Sequence, residues 1–242
     1  MKLYYRQQDN GMFILARSDI EHIATDVLSE VAPQNLVYPL PLRTDALFDY
    51  YGLAVKHAYL GLPGREVLGA TVMGDSAEII GYDMMMKPDV WEETYGTVLI
   101  HTGLCCAQQT PRRRYTEAHE CSHWILHKPY FDMLPKSNSG HLVACRSVET
   151  YKRTRKTDAD WREWQADTLA AALLMPRDMF FEYACNMLKS HGAPRGYLIE
   201  GQPSSRAIFR EVIGPISDKF SVSNRAAQIR MIHLGLIRTP SI

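Results

Sequence analysis

The pattern that most constrains this chain is His119-Glu120-Cys121-Ser122-His123, two histidines four residues apart with a glutamate after the first. The flanking residues 115–118 and 124–127 contain neither glycine nor proline, so we predict that the pattern lies on one continuous helix. Residues four apart share a helical face, and both imidazoles can therefore reach the same ion. A pair of core or surface histidines is the simpler alternative, but the pattern favours a zinc site in which His119 and His123 are ligands and Glu120 is the general base of a hydrolytic reaction.

A third ligand is expected from a second predicted helix, at about residues 161–174. Glu163 can ligate zinc, and Asp167, one turn further on, can accept a hydrogen bond from a liganding imidazole and fix its tautomer. A simpler interpretation competes with this one, because Asp160-x-x-Glu163 has the form of a capping box that only closes the helix N-terminus. Spacing alone leaves both interpretations open.

The remaining periodicity predicts an α+β fold. An amphipathic helix is expected from Ser18, whose Ser18-x-x-Glu21 pattern has capping-box form, to Pro33. The helix that carries the histidines is expected to begin near Pro111 and to end before Pro129. Two further helices are expected at residues 46–51 and 178–190. Short β-branched segments separated by glycine or proline predict a small sheet, with strands at residues 53–55, 70–73, 78–82 and 96–100.

The C-terminal part, residues 196–242, is predicted to be a helical, helix-turn-helix-like subdomain that follows a domain of residues 1–195. Residues 207–213 and 219–235 have the pattern helix, turn, helix, with Ser223 as the N-cap of the second helix. A DNA-reading helix is one interpretation of the basic side chains in this part. We favour a subdomain that packs on the catalytic core or holds a protein substrate, because the chain is not basic overall.

The composition limits the classes of binding partner and the cellular location that we expect. Lys and Arg number 27 and Asp and Glu also number 27, so the net charge does not indicate nucleic acid or an anionic membrane as a partner. No segment has the pattern of a signal peptide or of a membrane span. The five cysteines are an odd number and include the adjacent pair Cys105-Cys106, which does not match a secreted disulfide framework. We therefore expect a cytoplasmic location.

Two blocks resemble the ImmA/IrrE family of metallo-endopeptidases. Residues 114–127 are similar to the family's RFTLAHELGHWLLH block, and residues 163–176 are similar to its E-x-x-A-N/D-x-x-A-A-x-L-L-M-P block. The order and separation of the two blocks make the resemblance specific. The chain departs from the family in having Cys121-Ser122 where Leu-Gly is usual, and His101 where an aspartate often ends the preceding strand.

The resemblance implies a zincin-like metalloprotease fold, in which a small sheet packs on an active-site helix and on a second ligand-bearing helix. It implies His119, His123 and Glu163 as metal ligands and Glu120 as the catalytic acid and base. Asp167 matches the family's Asn/Asp position and is expected to support a ligand. Zinc is the expected metal, with Mn²⁺ or Fe²⁺ as alternatives because ligands of these types bind several first-row metals.

Members of the family are similar to intracellular proteases that cleave helix-turn-helix repressors and so release phage, mobile-element or stress genes. The resemblance therefore implies a zinc-dependent endopeptidase whose partner is a helix-turn-helix repressor, with no membrane partner. An edge strand near Val98–Thr102 is expected to pair with the extended substrate. The competing hypothesis is a DNA- or partner-binding regulator in which the metal site is structural or inactive.

Overall fold

The computed structural model describes residues 3–62, 65–134, 143–147 and 157–239. Its mixture of one main sheet with helices confirms the α+β prediction. The helices are α1 (Arg17–Val31), α2 (Thr44–Tyr51), α3 (Thr110–Met133), α4 (Asp158–Leu174), α5 (Arg177–Ser190), α6 (Pro203–Phe220) and α7 (Asn224–His233). The strands are β1 (Ala54–Leu62), β2 (Arg65–Val72), β3 (Ser76–Tyr82), β4 (Pro88–Thr94), β5 (Thr97–His101), β6 (Val143–Ser147), β7 (Leu198–Ile199) and β8 (Ile237–Arg238).

Six strands form the main sheet in the order β4-β3-β1-β5-β2-β6. Strands β1 and β5 are parallel, and the other neighbours in this order are antiparallel. The sheet buries apolar side chains from four of its strands in one cluster, which removes their surface from water and stabilises the pairing. This cluster contains Leu60, Ala70, Val72, Ala77, Ile79 and Leu99.

The position of β5 contradicts one expectation. Val98 pairs with Val55 of β1 on one side and with Thr71 of β2 on the other, and the next two residues are paired on both sides in the same way. Residues 97–100 are all buried, as is typical of a central strand. The prediction that a substrate strand pairs near Val98–Thr102 is therefore wrong, because Val98–Ile100 have no free edge.

Helix α3 does not end where the sequence predicts. It continues through Pro129 to Met133, although proline has no N–H to donate to the carbonyl of Ile125. Phe131, in the last turn, is buried and clusters with Met73, which follows β2. This burial offsets the missing hydrogen bond, so the prediction that the helix stops before Pro129 is wrong.

Helix α1 is capped differently from the prediction. It begins at Arg17, and the Asp19 carboxylate accepts the N–H of Ala16 at 2.7 Å. The Ser18-x-x-Glu21 capping box is therefore wrong. The N-cap prediction at Ser223 is confirmed, because its hydroxyl accepts the N–H of Ala226 at 3.1 Å.

The described chain divides into two compact units, one of Met1–Ile23 with Thr44–Ala170 and one of Ala24–Arg43 with Ala171–Ile242. The first unit contains the main sheet, α2, α3 and every residue of the predicted metal site. The second contains α5, α6 and α7. The predicted domain boundary after residue 195 stays a prediction. Within the described ranges, no helix combines the length and apolar character needed to cross a membrane.

Candidate metal centre

His119 and His123 lie one turn apart on the face of α3 that is turned inward. Both side chains are buried, and their Nε2 atoms are 2.9 Å apart. The face is buried because apolar and small residues flank the histidines, among them Ala118 and Cys121. The structure therefore brings the two histidines together as the i, i+4 spacing predicts.

Glu163 reaches the same point from α4. Its Oε2 lies 3.3 Å from the Nε2 of His119, and its Oε1 lies 3.3 Å from the Nε2 of His123. One carboxylate thus faces both imidazoles through its two oxygens. Of the described residues, only these three form a group that can hold a metal ion.

The capping interpretation of Glu163 is wrong. Helix α4 begins at Asp158, so Glu163 lies in its second turn rather than at its N-terminus. Thr157 and Asp160, rather than Asp160 and Glu163, form the capping box. The Asp160 carboxylate accepts the backbone N–H of Thr157 at 2.7 Å, and the Thr157 hydroxyl accepts the N–H of Asp160 at 3.2 Å. Because Thr157 and Asp160 cap the helix, the Glu163 side chain is available to the histidines.

The distances among the three side chains suit a small divalent cation. Metal–nitrogen and metal–oxygen bonds of about 2.0–2.2 Å in a tetrahedral site separate neighbouring ligand atoms by roughly 3.3–3.6 Å. The two histidine–carboxylate distances of 3.3 Å agree with this range. The nitrogen–nitrogen distance of 2.9 Å between the two histidines is shorter than this range. The donor set of two imidazoles and one carboxylate leaves a fourth position for water or substrate.

Asp167 supports His119 from the next turn of α4. Its Oδ1 lies 3.0 Å from the Nδ1 of His119, so an Nδ1–H donates to the carboxylate and the Nε2 is directed at the candidate metal position. The hydroxyl of Tyr115 donates to the backbone carbonyl of Asp167 at 3.1 Å and lies 3.4 Å from its Oδ1. The structure thus places Asp167 within hydrogen-bonding distance of His119, and its role in supporting a metal ligand stays a prediction.

Glu120 is fully buried between α3 and β2. The Thr71 hydroxyl lies 2.9 Å from the Glu120 Oε2 and 3.2 Å from its backbone carbonyl, and it donates to these oxygens. A Cβ atom at Gly69 would lie 2.8 Å from Oε1, so only glycine leaves room for the carboxylate there. Sequence reasoning missed Gly69 and Thr71, because no local pattern reports their contacts with Glu120, which lies far later in the chain.

Two influences act in opposite directions on the pKa values of the histidines: nearby carboxylates raise them, and burial lowers them. Burial lowers the pKa of His119, but the Asp167 and Glu163 carboxylates outweigh it and raise this pKa to about 9. Burial lowers the pKa of His123. Burial would raise the pKa of Glu163, yet the neighbouring His119 and His123 hold it well below its usual range. The site therefore presents an ionised carboxylate, which favours a cation.

We expect metal binding to release about one proton at pH 6.5. In the metal-free protein His119 keeps its second proton up to pH about 9, and the metal needs the lone pair on its Nε2. Below this pKa the apparent affinity should therefore rise about tenfold per pH unit. Calorimetric titration with zinc in two buffers of different ionisation enthalpy measures the proton count.

Asp167→Asn is the matched control, because it removes a carboxylate that raises the pKa of His119 without removing a ligand. Its proton release at pH 6.5 should be smaller than that of the unmodified protein. Zinc binding without any proton release in the unmodified protein would contradict this account of His119.

Two neighbours of the motif are not in the group of three. Burial raises the pKa of the Cys121 thiol well above its ordinary value, so it stays protonated and packs as an apolar side chain. His127, one turn beyond His123, places its Nδ1 3.0 Å from the Nδ1 of His123, and its Nε2 lies 3.0 Å from the Oε1 of Gln165. The sequence indicates packing or a supporting hydrogen bond for His127, but it gives no signal for Gln165.

Comparison with known proteins adds one match to this geometry. Residues 106–231, just over half of the chain, match the model of the Peptidase_M78 family, described as the IrrE N-terminal-like domain. This range contains α3, α4 and all three members of the candidate metal group. A search of the curated proteins found no match. The matched range and the residues that it contains lead to one conclusion: the chain belongs to the Peptidase_M78 family of IrrE N-terminal-like domains.

Proposed function

We propose that this chain is a metal-dependent endopeptidase with a narrow protein substrate. In this proposal His119, His123 and Glu163 hold the metal, and Glu120 is the acid and base. The observation that carries it is the convergence of three ligand atoms within 4.8 Å of one another, on two helices that lie within the matched range. Zinc is the metal we propose, and Mn²⁺ or Fe²⁺ are alternatives that the same donors accept.

His119, His123 and Glu163 would hold a divalent cation, which would supply a Lewis acid for the scissile carbonyl and would lower the pKa of a water molecule from 15.7 to about 7. In the proposed reaction Glu120 accepts one proton of the attacking water at a carboxylate oxygen, while the water oxygen bonds to the carbonyl carbon and the π pair of the C=O bond moves onto the carbonyl oxygen. Glu120 then gives the proton to the amide nitrogen as the C–N bond breaks, which yields one new carboxylic acid and one new amine; the acid then loses its proton to solvent at neutral pH. Thr71 keeps one oxygen of Glu120 in a fixed place through this exchange.

We propose that the substrate backbone adds along the outer side of β6. Glu120 lies against β2, and the neighbour of β2 on the side away from β5 is β6. Within the described residues β6 is a terminal strand of the sheet, and an extended peptide can add a strand at such an edge. This placement replaces the one near Val98–Thr102, which the paired edges of β5 exclude.

We propose a helix-turn-helix repressor as the substrate, held in part by the C-terminal helices. The exposed face of α7 carries Ile229 and Ile232, side chains that suit a protein partner better than DNA. Arg230, one of the basic residues in this part, is buried and donates from its Nε to the carbonyl of Met175 at 3.0 Å. These features favour a protein-holding role over DNA reading for α7.

A cytoplasmic location follows from the proposed substrate. Four cysteines of the described residues, Cys105, Cys106, Cys121 and Cys185, are free thiols, which suits a reducing compartment.

The test is cleavage of a small helix-turn-helix protein encoded beside the gene for this chain. We expect one or a few cuts, identified by mass spectrometry of the fragments, that stop with a chelator and return with added zinc. Unfolded casein serves as the specificity control and should stay intact. Cleavage that a chelator does not affect would contradict the proposal, as would the absence of cleavage for every such protein tested with zinc-loaded enzyme.

A further inference from the structure

A line of three buried hydrogen bonds joins His123 to the backbone of the N-terminal segment. The Nδ1 of His123 lies 3.0 Å from the Nδ1 of His127, and the Nε2 of His127 lies 3.0 Å from the Oε1 of Gln165. The Nε2 of Gln165 in turn donates to the carbonyl of Phe13 at 2.8 Å. The three side chains are at most 2% exposed, and all four residues belong to the first unit.

The far end of this line fixes the direction of its hydrogen bonds. A backbone carbonyl only accepts, so the amide nitrogen of Gln165 must face Phe13 and its oxygen must face His127. That oxygen also only accepts, so the Nε2 of His127 must carry a hydrogen. A buried imidazole without a carboxylate partner stays neutral, because charging it away from water is costly. The Nδ1 of His127 therefore carries a lone pair.

The lone pair on His127 then decides the state of His123. An N–H must face it, so His123 donates from its Nδ1 and keeps a lone pair on its Nε2. This Nε2 is the atom 3.3 Å from the Glu163 carboxylate and 2.9 Å from the Nε2 of His119. The hydrogen bonds that begin at a backbone carbonyl thus leave His123 in the one tautomer that can bind a metal through that atom.

We propose that His127 and Gln165 are positioning residues that fix the metal-binding tautomer of His123, a role that rests on the proposed metal centre. Asp167 does the same for His119 through a carboxylate. The groups that support the two histidines differ in charge. Asp167, which supports His119, is anionic and partly exposed. His127 and Gln165, which support His123, are neutral and buried, so they orient a ligand without adding negative charge.

The experiment compares two substitutions of Gln165 by zinc affinity, measured in competition with a chromophoric chelator. Gln165→Leu removes the acceptor for His127 and should weaken zinc binding about 10–100-fold. Gln165→Glu keeps an acceptor for the His127 Nε2–H, although it cannot donate to the Phe13 carbonyl and gives His127 a carboxylate partner, so zinc affinity should fall less than in Gln165→Leu. If Gln165 served only to bond the Phe13 carbonyl to α4, both variants would lose that hydrogen bond and would bind zinc with the same affinity. Equal zinc affinity in the two variants overturns the proposal.

The imidazole nitrogens give a readout that does not depend on activity. In protein with ¹⁵N-labelled histidine, two-bond ¹H–¹⁵N correlations should show the His127 proton on Nε2, with or without zinc. Gln165→Leu should shift this ring towards the other tautomer. A His127 proton on Nδ1 in the unmodified protein overturns the proposal.

The two experiments separate this inference from the proposed function. If the unmodified protein takes up no metal, the proposed function fails, and the imidazole spectrum of the metal-free protein still decides the state of His127. If it takes up metal with full affinity in the Gln165→Leu variant, the positioning role fails and the proposed function stands.

Discussion

Glu120→Gln is expected to lower substrate cleavage by about 10²–10⁴-fold while metal content stays unchanged. The amide has the size of the carboxylate, and its oxygen can still accept the hydrogen bond from the Thr71 hydroxyl, so the fold and the ligands are retained. It cannot take a proton from water, which is the step assigned to Glu120. The measurement is the rate of fragment formation from the substrate identified by the cleavage assay, with metal analysis of the same sample.

Glu117→Gln is the matched control, because Glu117 lies one turn earlier on α3 and accepts a hydrogen bond from Thr44 outside the metal group. Its cleavage rate should change little. Full cleavage by Glu120→Gln would refute the assigned role. Loss of cleavage together with retained gene regulation in cells would instead support the competing hypothesis of a regulator with an inactive metal site.

Glu163→Ala is expected to abolish stable metal binding, whereas Asp160→Ala should leave metal content near that of the unmodified protein. Glu163 contacts both histidines, and its removal leaves two neutral imidazoles to hold a dication. Asp160 caps α4 together with Thr157 and is not in the group of three, so its loss should cost about 0.5–2 kcal/mol in the free energy of unfolding. Equilibrium dialysis against zinc and thermal unfolding separate the two effects.

The pair of variants distinguishes the ligand interpretation of Glu163 from the capping interpretation. If Glu163 were only a helix cap, its removal would resemble that of Asp160 in both measurements. Retention of one equivalent of zinc by Glu163→Ala would contradict its role as a ligand.

The sequence predicts the centre of the site well because its information is local. The i, i+4 spacing places His119 and His123 on one face of a helix, and the same spacing relates Glu163 to Asp167 on another. Neither spacing indicates that the two helices contribute to one site. Only the resemblance to the ImmA/IrrE family indicates this. With the family established, the α+β architecture is a zincin-like fold.

The contacts around this centre could not be predicted, because they join distant parts of the chain. Gln165 meets the Phe13 carbonyl across 152 positions, and Thr71 meets Glu120 across 49. Because every residue has a backbone carbonyl, a hydrogen bond to one cannot be recognised from the sequence. Burial of Phe131 allows a helix to continue past Pro129, and the capping rule for proline does not take account of such packing.

The local sequence patterns also do not show which strands lie at the edges of the sheet. Strand β4, with the sequence Pro-Asp-Val-Trp-Glu-Glu-Thr, has exposed charges and lacks the continuous apolar run that identifies β5. The prediction of a substrate strand near Val98–Thr102 failed because an apolar segment does not reveal how many neighbours it pairs with.

X-ray absorption at the zinc edge of zinc-loaded protein tests most directly whether two imidazoles and one carboxylate share a metal. The account predicts one equivalent of zinc, nitrogen and oxygen ligands at about 2.0–2.2 Å, two of them with imidazole scattering, and no sulfur ligand. A sulfur shell at about 2.3 Å, or a spectrum unchanged by Glu163→Ala, would contradict it.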